Sequence, residues 1–190
     1  MKLSVAAAIT LGVLSGPHAR AVQIPELDYR VLATSKTSTM EKEMNQAAEA
    51  GFRFQTIMGG ETAVGGSEVV AVMSRVTGKK GRYAYRLLAT SKTSTMEREL
   101  QQAAEQGFTY RAQSVFSTAF GGDEVVCILE RDGDAPPQVW QYKLVAASKT
   151  STLEKEIRSA AVSGYEVLGL TVAKTGFGGS ELVAITRRVK

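Results

Sequence analysis

Three stretches of this chain are near copies: LATSKTSTMEKE from Leu32 to Glu43, LATSKTSTMERE from Leu88 to Glu99, and VAASKTSTLEKE from Val145 to Glu156. Self-similarity at a fixed spacing constrains a fold strongly, because every copy must adopt the same supersecondary unit. Tyr29, Tyr85 and Tyr142 open equivalent segments, 56 and 57 residues apart. A unit of that length buries too little apolar surface to stand alone, so another unit or another chain must cover it.

Each copy reads strand, SKTST, helix, Gly-aromatic, strand, Gly-Gly hairpin, strand. The first strand alternates, with Leu27, Tyr29, Val31 and Ala33 on one face, as are Tyr83, Tyr85, Leu87 and Ala89, then Trp140, Tyr142, Leu144 and Ala146. Trp140 is thereby expected in the core, equivalent to Leu27 and Tyr83. The helix carries a stripe of Met40, Met44, Ala47 and Ala48, repeated as Met96, Leu100, Ala103 and Ala104 and as Leu153, Ile157, Ala160 and Ala161. Gly51, Gly107 and Gly164 stand where a left-handed cap ends a helix.

The third strand is apolar on consecutive residues, as VVAVM, VVCIL and LVAI. A strand apolar on both faces is central, and both faces of its sheet are expected to be covered. A strand–helix–strand crossover makes the first two strands parallel, and a hairpin then returns the third between them. The expected fold is α+β: three tandem βαββ units, each a three-stranded sheet in the order 1-3-2 with one helix on one face. The units span residues 22–77, 82–132 and 138–190, separated by TGKKGR (Thr77 to Arg82) and DGDAPPQ (Asp132 to Gln138).

With YKLVA, LEKEI, GYEVLGL and a closing strand ending ITRR in the third copy, the unit resembles the small bacterial βαββ family called domain of unknown function 4177. The resemblance recurs in all three copies. It implies a fold and no activity, and SKTST and the Gly-Gly hairpin lie outside the general pattern of that family.

Residues 1–21 read as an export signal of the bacterial type. Lys2 precedes a short apolar core, LSVAAAITLGVL, then Gly16 and Pro17, then the small-x-small site ARA at Ala19 to Ala21. The apolar core is shorter than the roughly 20 residues of a membrane span, so no stable membrane insertion is expected after its removal. The destination is periplasmic or extracellular. Removal also takes away His18, the one histidine, and leaves Cys127 as the one cysteine. Ser-His-Asp and Cys-His catalysis, His-ligated metals and an internal disulfide are then excluded. Cys127 occupies the place of Ala71 and Ala184, a small buried strand position. The balance of 23 Lys and Arg against 19 Asp and Glu is mildly basic, with the charges interleaved, and does not point to nucleic acid.

SKTST admits two readings. As a junction, Ser38, Ser94 and Ser151 precede Glu41, Glu97 and Glu154 by three residues, the spacing of a capping box. As a site, a helix start, hydroxyls, a lysine and the Gly-rich hairpin at the same sheet edge compose an anion or glycan cradle. Its residues are Lys36, Thr37, Ser38 and Gly66, then Lys92, Thr93, Ser94 and Gly122, then Lys149, Thr150, Ser151 and Gly179. Lys36, Lys92 and Lys149 are expected to approach Glu68, Glu124 and Glu181. No catalytic residue, metal or cofactor is assigned; a hydrolase built on the Lys, Glu and hydroxyl groups is the remaining enzyme class. The favoured function is a non-catalytic scaffold or binding module, with self-association or a protein partner on the sheet face.

Overall fold

Alternating strands and glycine-ended helices recur three times in the computed structural model, which describes residues 26–62, 64, 66–78, 80–90, 92–117, 123–136, 138–174 and 180–190. The first unit comprises β1 (Leu27–Thr34), α1 (Thr37–Glu49), β2 (Arg53–Thr62) and β3 (Gly66–Val76). The second comprises β4 (Tyr83–Thr90), α2 (Thr93–Glu105), β5 (Thr109–Ser117) and β6 (Asp123–Asp132). The third comprises β7 (Trp140–Ala147), α3 (Thr150–Val162), β8 (Glu166–Lys174) and β9 (Ser180–Val189). Sheet 1 is ordered β1-β3-β2, sheet 2 β4-β6-β5 and sheet 3 β7-β9-β8, with every neighbouring pair antiparallel. This is the expected α+β architecture in the expected strand order.

Each helix stops for the same reason. Gly51, Gly107 and Gly164 have φ of 90°, 80° and 82°, a region that costs glycine least. The amides of Gly51 and Phe52 then bond back to the carbonyls of Ala48 and Ala47, so the last turn is satisfied and the chain turns into β2.

The units stack in alternating layers. Helix α1 places Met40, Met44, Ala47 and Ala48 against Val69, Ala71 and Met73 of its own sheet, and against Tyr85, Val126 and Ile128 of sheet 2. Helix α2 repeats this between sheets 2 and 3, packing Met96 and Leu100 among Val125, Cys127 and Leu129 on one side and Tyr142, Leu144, Val183 and Ile185 on the other. The two-sided apolarity of β6 and β9 is thus explained: one face takes its own helix and the other takes the helix of the preceding unit. The small pair Ala47 and Ala48 lets both sheets approach the same helix. On the far side of the layers the sheets touch directly, and a Cβ on Gly59 would come within 2.3 Å of the Val115 carbonyl.

Sheet 1 departs from expectation. Leu27, Tyr29 and Val31 are 51%, 61% and 64% exposed, because among the described residues no helix lies on that face. Trp140 is half-buried rather than in the core, with the Arg187 guanidinium 3.9 Å from its ring centroid. The first strand position therefore sits at the margin of the core. Ala161 is exposed although Ala48 and Ala104 are each 1% exposed, since among the described residues no further sheet covers α3. Cys127 is fully buried, and burial pushes its thiol up to about 12, so it stays protonated and inert at neutral pH.

Candidate functional site

The SKTST segment turns each first strand into a helix, and the helix starts earlier than a capping box requires. Lys36, Lys92 and Lys149 are the N-cap residues, in extended backbone, and among the described residues no side-chain bond caps α1, α2 or α3. Ser38, Ser94 and Ser151 are consequently second residues inside their helices, and the capping box does not form. Side-chain support comes instead from the end of the strand. Thr34 Oγ1 and Thr90 Oγ1 each accept the amide of the following lysine at 3.2 Å. Ala147 holds the equivalent place in the third unit and offers no such acceptor.

The hairpin stands at the same sheet edge, as expected. Thr34 pairs with Val69, while Gly66, Ser67 and Glu68 pair only with β2, so the β2–β3 hairpin overhangs β1 by three residues. Gly66 is exposed at its tip, with φ of 67°. Gly122 and Gly179 lie outside the described residues. The anticipated lysine–glutamate pairs are absent among the described residues. Glu68 instead accepts the Thr62 hydroxyl at 2.6 Å. Lys36, Lys92 and Lys149 are exposed, as are Ser38, Ser94, Thr150 and Ser151, while Thr37 and Thr93 are half-buried. Because α1 runs antiparallel along β4, its start lies beside the start of α2, and the helix N-termini line one edge of the stack.

Glu41 and Glu97 have another task. Glu41 Oε2 accepts the Leu87 amide at 2.8 Å, and Glu97 Oε2 accepts the Leu144 amide at 2.7 Å. One turn later, Asn45 both accepts from the Tyr85 amide and donates to its carbonyl, each at 2.9 Å. Gln101 accepts from the Tyr142 amide at 3.1 Å and donates to the Trp140 carbonyl at 3.3 Å. Helices α1 and α2 thus each satisfy the free edge of the next unit's first strand. The phenols return the contact: the Tyr85 hydroxyl accepts the Phe54 amide at 2.7 Å, and the Tyr142 hydroxyl accepts the Tyr110 amide at 2.8 Å. Burial pushes both phenols up, so they stay neutral. Sequence reasoning missed this junction. The available signal was the pair Glu41/Asn45 and Glu97/Gln101 at i, i+4, which becomes Glu154/Arg158 in the last helix alone.

Ser38→Ala is therefore expected to change stability by less than about 0.5 kcal/mol, as an ordinary surface substitution does. Glu41→Ala should cost about 1–2 kcal/mol, because it leaves the part-buried Leu87 amide without an acceptor. Denaturant unfolding of the two variants checks the order, and the reverse order would restore the capping box.

A second polar cluster lies at the opposite edge of the stack. Glu130, only 4% exposed, accepts Arg53 at 2.8 Å and the Tyr85 hydroxyl at 2.9 Å, with Arg111 at 3.6 Å. The hydrogen bond to Glu130 raises the Arg53 pKa. Ser74 and Arg187 occupy the equivalent positions opposite Tyr29 and Tyr142, so the cluster is particular to one junction. Beside it, Arg53, Arg75, Lys80, Arg82 and Asp134 line an open cleft of about 520 Å³. Among the described residues no group of three or more His, Cys, Asp or Glu side chains could hold a metal ion, and no helix is long and apolar enough to cross a membrane. No family model matches the chain, and neither a protein of curated function nor a solved structure matches it.

Proposed function

We propose that the chain is an exported, non-catalytic scaffold or binding module, with residues 1–21 removed and three βαββ units in the mature protein. One observation supports this reading above others. The repeated side chains best suited to chemistry, Glu41 and Glu97, Asn45 and Gln101, and Tyr85 and Tyr142, are engaged in joining one unit to the next. Lys36, Lys92 and Lys149 remain exposed and, among the described residues, form no ion pair with an acid. The resemblance to domain of unknown function 4177 supports the unit's fold and adds no activity. The exposed sheet face is the surface offered to a protein partner, and neither nucleic acid nor membrane belongs to this reading.

A second reading, an anion or acidic-glycan binder with a site in each unit, is favoured by the helix starts, which no side chain caps and each of which has an exposed lysine beside it. Melting curves of the wild type and of the combined Lys36→Ala, Lys92→Ala, Lys149→Ala variant, taken with phosphate, sulfate and acidic sugars, separate the two. The scaffold reading expects the ligand series to leave both proteins unchanged. A saturable rise in melting temperature, lost in the variant, would replace it with anion binding. Saturable turnover of ester, phosphoester or glycoside substrates would end the non-catalytic reading altogether.

A further inference from the structure

Among the described residues, the two ends of the stack carry the two unfilled halves of the junction that joins its units. At one end, β1 has the same register to β3 as β4 has to β6 and β7 to β9: Tyr29 faces Ser74 as Tyr85 faces Glu130 and Tyr142 faces Arg187. Tyr29 and Val31 therefore present to solvent the edge and face that Tyr85 and Leu87 present to α1. Tyr29 is 61% exposed where Tyr85 and Tyr142 are 3% and 5% exposed. Val70 and Val72, half-buried on the same face, correspond to Val126 and Ile128, which are fully buried. Sheet 1 thus has the composition of a covered sheet and, among the described residues, no cover.

The other end carries the matching parts. Ala161 is exposed at the position where Ala48 and Ala104 pack against a following sheet. Val167 is 45% exposed at the bulge position where Phe54 and Tyr110 are 3% and 8% exposed and lend their amides to a tyrosine hydroxyl of the next unit. Glu154 holds Arg158 through one carboxylate oxygen at 2.6 Å, which leaves the other for an edge amide, as in Glu41 and Glu97. Arg158 replaces Asn45 and Gln101; it keeps donors for an edge carbonyl and gives up the acceptor for an amide.

We propose that a second copy of this chain covers sheet 1, the α3 end of one copy packing on the open sheet 1 face of the next as α1 packs on sheet 2. This deepens the scaffold reading by naming its partner. The contact uses different surfaces on the two copies, so it builds a ring if the rotation closes and a filament if it does not.

Light scattering over a dilution series of the mature chain, with Val31→Arg and Ala161→Arg, provides the test. Both positions are exposed, so each variant should melt as the wild type does when dilute. The wild type is expected to grow in mass with concentration, and each variant to keep the mass of one chain. Mixing the variants should give a one-to-one complex of twice that mass, because Val31→Arg retains an intact α3 end and Ala161→Arg an intact sheet 1. A wild type that stays a single chain at every concentration would overturn the proposal while leaving the scaffold reading standing with a different partner. Variants that assemble as the wild type does, or that fail to pair when mixed, would overturn it as well.

Discussion

Val126→Asp and Val183→Asp are each expected to cost about 3–5 kcal/mol, the range for placing a charge in an apolar interior without a partner. Val126 is fully buried against α1 and Val183 is 1% exposed against α2. In a chain of this size 1 kcal/mol moves the melting temperature by roughly 2–4 °C, so a fall of about 10 °C or more should be seen. Val70→Asp is the internal comparison. Its side chain is half-buried on the open face of sheet 1, so in the isolated chain the carboxylate keeps contact with water and the cost should stay near 1 kcal/mol. Shifts under about 2 °C for both Val126→Asp and Val183→Asp would remove the third strands from the core.

The difference between Val70 and its two counterparts marks where sequence reading reached and where it stopped. The VV and LV pairs identify strands apolar on both faces, and that central place together with the crossover and hairpin connections gives the observed strand order. Periodicity cannot say what covers the second face. In units 2 and 3 the cover is the preceding helix; in unit 1 the same residues meet solvent. Glu41 shows a second limit. A serine three residues before a glutamate matches a capping box, but the helix begins at Thr37, which carries Ser38 past the cap and frees Glu41 to reach Leu87. Local spacing and a contact 46 residues away competed for one carboxylate, and the distant amide won because an unpaired edge N–H beside an apolar helix is costly. The SKTST edge was placed correctly beside the hairpin, whereas its lysine–glutamate pairs did not follow from proximity in the topology.

That units are joined by helix carboxylates and amides gripping the next edge strand is tested most directly by hydrogen exchange at single amides. Leu87 and Leu144 lie on edge strands, where an amide pointing into water exchanges quickly, yet each is bonded to a glutamate of the preceding helix. In the wild type both amides should exchange at least about a hundredfold more slowly than an exposed edge amide. Glu97→Ala should remove most of that protection at Leu144 and leave Leu87 protected, because Glu41 still holds it. Fast exchange at both amides in the wild type, or a Leu144 amide indifferent to the loss of Glu97, would contradict the junction on which the stack depends.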